Sequence, residues 1–481
     1  MSESQVPSRD AAELLESVVE LGLPSSRRAV VPAHRRRRHA FRQFAQDTAR
    51  GEVTVPPTLL SPAQRKLHIR DTVIEDHLLR MRLVPSAVSD KLRALAQDPF
   101  TFFRGTALLY YRDIAGTDAH LPFAPTVGDV HPENFGILPG GDGQPLFDLN
   151  DMDEAWAAPF TWDLQRGAVG FALAAGQLGA GAKKEAKIAR KFSESYLDTM
   201  GLCARDPEAA QVRIRADNAP KVLRNSFAKA QRSRGKFLSK HVDSAAGRFR
   251  ETERIHRRPA LAPTIHTLLG PYRNRVADRD LDLPTGFFDV LDVAVRSGSG
   301  TASRGLARLW VLVSGFGDVP VIIELKMSRH SALDGLAPEW GRADHAMAGA
   351  PAPAQRIAEA FAAFVPNADP LYGHAEIAGV SFLIRERGPQ KVNIDITDFD
   401  LTGLKKYAKL CGATLARLHV RAAGLLDAPG QTLARRVTTA GSARVFGSDV
   451  ADFVAETAAQ VRADHRLFVQ DWRNGAFDLL N

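Results

Sequence analysis

Apolar residues recur at helical spacing from Ile74 to Met81, Ala87 to Ala96, Phe160 to Leu178, Lys184 to Leu202, Leu404 to His419 and Ser448 to Asp471. In the last of these, Val454, Ala458, Val461 and Phe468 fall roughly on one face. A run of small residues from Ala168 to Ala182 suits close helix packing, and Gln355 to Phe364 also has helical character. The period changes to two in Phe288 to Arg296, Leu306 to Ser314 and Val319 to Lys326, which predict strands. Ala375 to Ile384 predicts a strand pair turning at Ala378-Gly379. The pattern is therefore α+β, with a strand-rich stretch set between helical ones.

A chain of 481 residues exceeds what one hydrophobic core normally serves, so two lobes are expected. Four stretches are expected: a basic, partly disordered arm over 1–60, a large-lobe part over 61–285, a small lobe over 286–400 and closing helices over 401–481. The arm holds an amphipathic stretch, Ala11 to Leu23, and a run of four arginines, Arg35 to Arg38, between His34 and His39. Arg213 to Arg258 is also basic and is expected to be helical with a solvated face. A net charge of +8 spread over this length is modest and fits a basic enzyme that meets phosphates better than a nucleic-acid binder. Cys203 and Cys411 form neither a metal spacing nor a disulfide framework, so a reducing cytoplasm is expected. No apolar run approaches the roughly 18 residues of a membrane span, and no membrane partner is expected.

The chemistry concentrates in Gly128-Asp129-Val130-His131-Pro132-Glu133-Asn134-Phe135-Gly136. Pro132 keeps this stretch from becoming a helix, and Asn134 follows Asp129 by five positions. Phosphoryl transfer needs one group to take the proton of an attacking hydroxyl and another to hold magnesium. A D-x-x-x-x-N loop can supply both. The run from Phe147 to Glu154 offers further carboxylates beyond a turn at Leu138 to Gly143, and carboxylate oxygens suit Mg2+. Asp148, Asp151 and Asp153 compete for that role. Arg104, which ends the aromatic cluster Pro99 to Gly105, is a candidate for reaching a phosphate; the alternative is a charge partner for Asp113 or Asp129.

VGDVHPEN resembles the H-G-D-x-H-P-x-N catalytic loop of aminoglycoside and choline kinases. NDMDEA is similar to their I-D-F/W-x-D-A metal motif, and Trp162-Asp163-Leu164 to the D-L-A that follows it. The resemblance implies Asp129 as base, Asn134 and Asp151 as magnesium ligands, and His131 and Asp163 as structural groups bracing the loop. Val127 departs from the family's usual histidine. FFRG, GDVHPENFG, FDLNDMDEA and WDLQR together also resemble a large uncharacterised bacterial family that spans nearly the whole chain.

Further parts fit the kinase resemblance. The glycine-rich turn Ser297 to Gly305, with Gly298, Ser299, Gly300 and Thr301 at its tip, is a candidate phosphate cover, because glycine lets backbone N–H groups approach an anion. Lys326 ends the next strand, where kinase-like proteins place the lysine that pairs with the α and β phosphates. Glu359 is the candidate acid that orients it, with Gln355 as the alternative, and the backbone near Glu386 stands where a hinge would hold adenine. The Leu404 to His419 helix resembles the one that precedes the catalytic loop in aminoglycoside kinases, yet here the loop comes far earlier in the chain. These parts imply a circularly permuted, protein-kinase-like bilobal fold, permissible where original termini lie close together. The implied activity is an ATP- and Mg2+-dependent phosphotransferase with a hydroxyl acceptor, a small molecule before a protein. A nucleotide-binding regulator without turnover and a nucleic-acid binder are the alternatives.

Overall fold

A computed structural model describes residues 32–478 apart from 84, 232, 280, 297–305, 318, 340–351, 378 and 441–442. The amphipathic stretch Ala11 to Leu23 and the glycine-rich turn with Gly298, Ser299, Gly300 and Thr301 lie outside the described residues.

The architecture is α+β, with antiparallel sheets. Six antiparallel strands form the largest sheet, in the spatial order Gly373–Ile377, Val380–Glu386, Val319–Met327, Arg308–Phe316, Val290–Arg296 and Ile255–Arg257. Successive side chains in a strand point to opposite faces, so the alternation divides this sheet cleanly. Val293, Val311, Ile323, Leu325 and Ile384 pack with Ile265, Leu269, Tyr272 and Val276 from the helices Ala262–Leu268 and Gly270–Ala277. Ala294, Trp310, Leu312 and Ile322 pack with Leu238, Val242 and Phe249. Residues packed on both faces thus begin near 238, well ahead of the expected boundary at 286.

The basic stretch from Arg213 to Arg258 is only partly helical. Helices Arg224–Ala230 and Arg234–Leu238 give way to short strands at Val242–Asp243, Arg248–Phe249 and Ile255–Arg257. Its apolar residues are spaced to cap the sheet, which the helical reading overlooked.

The second core is larger and mainly helical. Phe160–Gln177, Ala182–Arg205, Leu401–Ala422 and Ala443–Arg473 pack on one another, close to the predicted spans. Gly412 permits the closest approach: a Cβ there would lie 2.1 Å from the Phe192 carbonyl oxygen. Against these helices lies a four-stranded sheet in the order Val392–Asn393, Phe135–Leu138, Leu146–Leu149 and Ile214–Arg215. The helix Pro353–Phe364 joins the two halves, touching the strands Gly373–Ile377 and Val380–Glu386 of the six-stranded sheet and the Leu401–Ala422 helix.

From Pro32 onward the basic arm is a docked helix, Pro32–Ala49. Arg37 pairs with Glu75 at 2.8 Å and Asp71 at 3.4 Å, while Arg38 and Arg42 both reach Asp334. The buried guanidinium of Arg65 binds Asp113 and Asp464, tying the Pro62–Leu83 helix to the Ala443–Arg473 helix. Among the described residues no helix is long and apolar enough to cross a membrane. Both cysteines are buried and unpaired.

Candidate active site

The loop between strands Phe123–Thr126 and Phe135–Leu138 carries the predicted motif. Gly128 opens it with φ +87°, a left-handed conformation, and a Cβ would stand 2.3 Å from the Glu154 carbonyl oxygen. Only glycine fits there without displacing the neighbouring acidic loop. Asp163, fully buried in the first turn of Phe160–Gln177, accepts from the amides of Val127 at 2.6 Å and Gly128 at 2.9 Å. Those two bonds tie the start of the loop to the helix. His419 stands behind it, with Nε2 3.0 Å from Asp163 Oδ2 and Nδ1 2.8 Å from the Tyr196 hydroxyl. The ring thus bridges the carboxylate and the Tyr196 hydroxyl.

Asp129 projects from this braced loop. Its Oδ1 accepts from Arg166 Nε at 3.0 Å and Nη2 at 2.6 Å. Arg166 is fully buried, and its guanidinium lies 4.3 Å over the Phe103 ring and 4.9 Å over that of Tyr110. Burial raises the Asp129 carboxyl above the ordinary aspartate value, with Arg166 opposing that rise in part. His131 Nε2 stands 3.7 Å from Asp129 Oδ2. Burial, followed by Arg104 and Arg166, lowers the His131 ring far enough to keep it neutral.

Asn134 Nδ2 donates to the carbonyl oxygens of Asp129 at 2.9 Å and Asp151 at 3.0 Å. The amide fastens the first acidic loop to the second. In that second loop, Asp153 and Asp151 receive Lys326 from the middle of the six-stranded sheet: Nζ lies 2.6 Å from Asp153 Oδ2 and 3.3 Å from Asp151 Oδ2. Lys326 is buried, whereas the Asp151 side chain is 41% exposed. Burial is the largest influence and works against the Asp151 charge, but Lys326, the hydrogen bond with Asp153, Arg385 and Lys391 together hold that carboxyl below the usual range. Burial and then the Asp151 charge push Asp153 the other way, upward. Asp153 Oδ1 is buried with no hydrogen-bond donor among the described residues.

Other expectations need correction. Asp148 sits in the strand, where Arg421 Nη2 at 2.8 Å and Arg213 Nη1 at 3.5 Å take its carboxylate; it serves packing and not the Lys326 cluster. Arg104 binds Glu133 and lies over the Phe100 ring, while Asp113 and Asp129, the acids considered for it, belong to Arg65 and Arg166. Glu359 accepts from Gln355 one turn away, and neither contacts Lys326. The same helix instead sends Arg356 to the carbonyl oxygens of Asp153, at 2.7 Å, and Ala155. At Glu386 the amide donates to Asp369 Oδ2 at 3.0 Å and the carboxylate holds Arg234, so that amide is not open to a base.

Two residues beneath the loop escaped notice. Arg166 lies three positions after Asp163, so both share a helix face, and that spacing was the available signal. His419 ends the predicted span that resembles the helix before the catalytic loop, but its contact with Asp163 carries no local signal, because that partner is 256 residues away. Among the described residues no group of three or more His, Cys, Asp or Glu side chains is arranged to hold a metal ion.

Fold and site together define an α+β protein in which two acidic loops, fastened by Asn134, meet a lysine from a separate sheet. The chain belongs to a family described as an uncharacterized protein conserved in bacteria (DUF2252), whose model matches residues 82–471. Comparisons with curated proteins and with solved structures returned no match.

Proposed function

We propose that this chain is a Mg2+-dependent phosphotransferase of permuted kinase-like fold, moving a phosphorus-centred group from ATP to a hydroxyl of a small molecule. The supporting observation is the meeting of Lys326 with Asp151 and Asp153, beside a loop in which Asn134 joins Asp129 to Asp151. Chain order adds support. A hairpin, a third strand carrying the lysine, a helix and two more strands run in the sequence expected of a kinase-like small lobe, after the catalytic loop instead of before it.

The acidic loop fits a hard cation. Asp153 Oδ1 is buried without a donor among the described residues, Asp151 is partly open, and burial followed by the neighbouring Asp151 charge raises the Asp153 pKa. Asp151 and Asp153 would hold magnesium, which when bound would neutralise phosphate charge. Asp148, engaged by Arg421, is excluded from that role. Asp129 would accept the hydroxyl proton, for which its raised pKa is favourable. Arg166 would fix the carboxylate's direction, and Lys326 would turn from the acids to the phosphates as nucleotide enters. Arginines of the N-terminal helix already pair with Glu75, Asp71 and Asp334, which disfavours a nucleic-acid role for them.

The test is Mg2+-dependent ATP turnover in a metabolite extract, by wild type and Asp129→Asn. Loss of roughly a hundredfold or more in the variant, with ATP binding retained, is the expected result. Equal and negligible turnover with intact ATP binding would instead indicate a nucleotide-sensing regulator.

A further inference from the structure

The segment from Lys229 to His241 covers part of the sheet face that carries Lys326. Phe237 and Leu238 join the Trp310 cluster, and the His241 ring meets Trp310 edge-on, with centroids 5.2 Å apart. Between this segment and residues 387–393 lies a cavity of about 560 Å³. No carboxylate is among its described lining residues, and its ionisable groups are Lys229, Lys236, Lys240, His241, Arg387 and Lys391. Lys229 is drawn towards Asp398, at 3.4 Å, while Lys236 and Lys240 are exposed. Arg387 Nε is buried without a hydrogen-bond acceptor among the described residues; Glu324 Oε2 stands 3.9 Å off.

Lys391 links this cavity to the second acidic loop. Its Nζ donates to the carbonyl oxygen of Asn150 at 3.3 Å, immediately before Asp151. Burial, with Arg385 and Arg387 next, lowers the Lys391 pKa, so its charge lacks full compensation within the protein. A purine has little reason to lie here. The amides of Glu386 and Arg387 already bond to Asp369 and to the Ile322 carbonyl oxygen, and the apolar face around Trp310 is covered by Leu238, Val242 and Phe249. A chain of phosphates, by contrast, would meet several ammonium groups and one unsatisfied guanidinium N–H.

We infer that this cavity receives the phosphate tail of the nucleotide, not its base, so that the α-phosphorus faces Asp129 and Asp151 and the group transferred is nucleotidyl. The inference rests on the phosphotransferase reading and specifies which phosphorus reacts. The acceptor hydroxyl oxygen bonds to the α-phosphorus while Asp129 takes its proton. The bond from that phosphorus to the α,β-bridging oxygen breaks, and pyrophosphate departs with the electron pair. Lys236, Lys240 and Arg387 would hold the leaving group.

Inorganic triphosphate, which lacks base and sugar, is the first probe. It is titrated with Mg2+ into the full-length wild type, Lys236→Gln/Lys240→Gln, and an equal charge loss on the exposed start of another helix, Lys183→Gln/Lys184→Gln. Binding at least tenfold weaker in the cavity variant alone is expected; equal binding in all three overturns the inference. In parallel, ATP labelled at either the α or the γ phosphorus is incubated with wild type and metabolite extract. The α label should pass to an acceptor with release of pyrophosphate. Transfer of the γ label with release of ADP overturns the inference but leaves the phosphotransferase reading standing. If neither label moves, that reading and the reacting orientation both fall, and the triphosphate titration alone decides whether the cavity is a phosphate site.

Discussion

Lys326 Nζ lies 2.6 Å from Asp153 Oδ2, joining the six-stranded sheet to an acidic loop 173 residues earlier in the chain. The pair is a hinge of charge between the two cores. Lys326 is 2% exposed and Asp153 21% exposed, so water shields the contact only in part.

Lys326→Met is expected to leave two neighbouring carboxylates without their cation. Because Asp151 is 41% exposed, the stability loss should fall near 2 kcal/mol, below the roughly 3–5 kcal/mol seen when fully buried pairs are broken. Denaturant unfolding measures it. Adding Asp153→Asn should restore part of the loss, since the two substitutions remove one interaction. Strict additivity would show that the contact carries no coupling.

Arg166→Leu removes the only cation hydrogen-bonded to Asp129 among the described residues and leaves a carboxylate that is only 14% exposed without its partner. A loss of about 3–5 kcal/mol is expected from an uncompensated charge of this kind. Arg166→Leu combined with Asp129→Asn should recover much of it, read as the thermal midpoint of each variant. A single variant as stable as wild type would contradict the role given to Arg166.

Asp163→Ala would strip acceptors from two buried amides, those of Val127 and Gly128, and from His419. Each orphaned donor costs about 1–3 kcal/mol. The expected result is a markedly lower unfolding midpoint and fast hydrogen exchange at both amides. Slow exchange at both would show that something else holds the loop.

Much of this arrangement was legible because periodicity reports local geometry. The strand ending near Lys326 and the helices from Phe160, Ala182 and Leu401 lie within a few residues of their predicted spans. The spacing of Asp129, Asn134 and Asp151 likewise survived, since those residues share two short adjoining loops. What failed depended on partners distant in sequence. Asp148 looks like its acidic neighbours until Arg421, 273 residues on, is seen to hold it. Glu359 was chosen by its place on a helix, but in the fold Arg356 on that helix reaches the Asp153 loop. The basic residues after Arg213 are largely exposed, but the apolar residues between them pack against Trp310, which belongs to a strand much later in the chain, and that packing was missed.

Acidification should move stability and activity in opposite senses at Asp129, favouring the fold and lowering turnover. Burial is the largest influence there and raises the carboxyl above the ordinary value of 3.8, despite Arg166. The protonated form is therefore favoured by folding: its contribution is full below 3.8 and is lost as pH rises through the raised value. A general base must be ionised, so turnover should fall as pH drops through that same window. The kcat/KM profile should show its acid limb above 3.8, and Arg166→Gln should move the limb higher. A limb at or below 3.8 would contradict the assignment of Asp129 as base.

The most direct measurement is calorimetric titration of ATP into wild type, Asp151→Asn and Lys326→Met, each with and without Mg2+. The cleft assignment predicts binding to wild type that strengthens with Mg2+, loss of that Mg2+ dependence in Asp151→Asn, and binding at least tenfold weaker in Lys326→Met. Equal ATP affinity in all three proteins, indifferent to Mg2+, would contradict it.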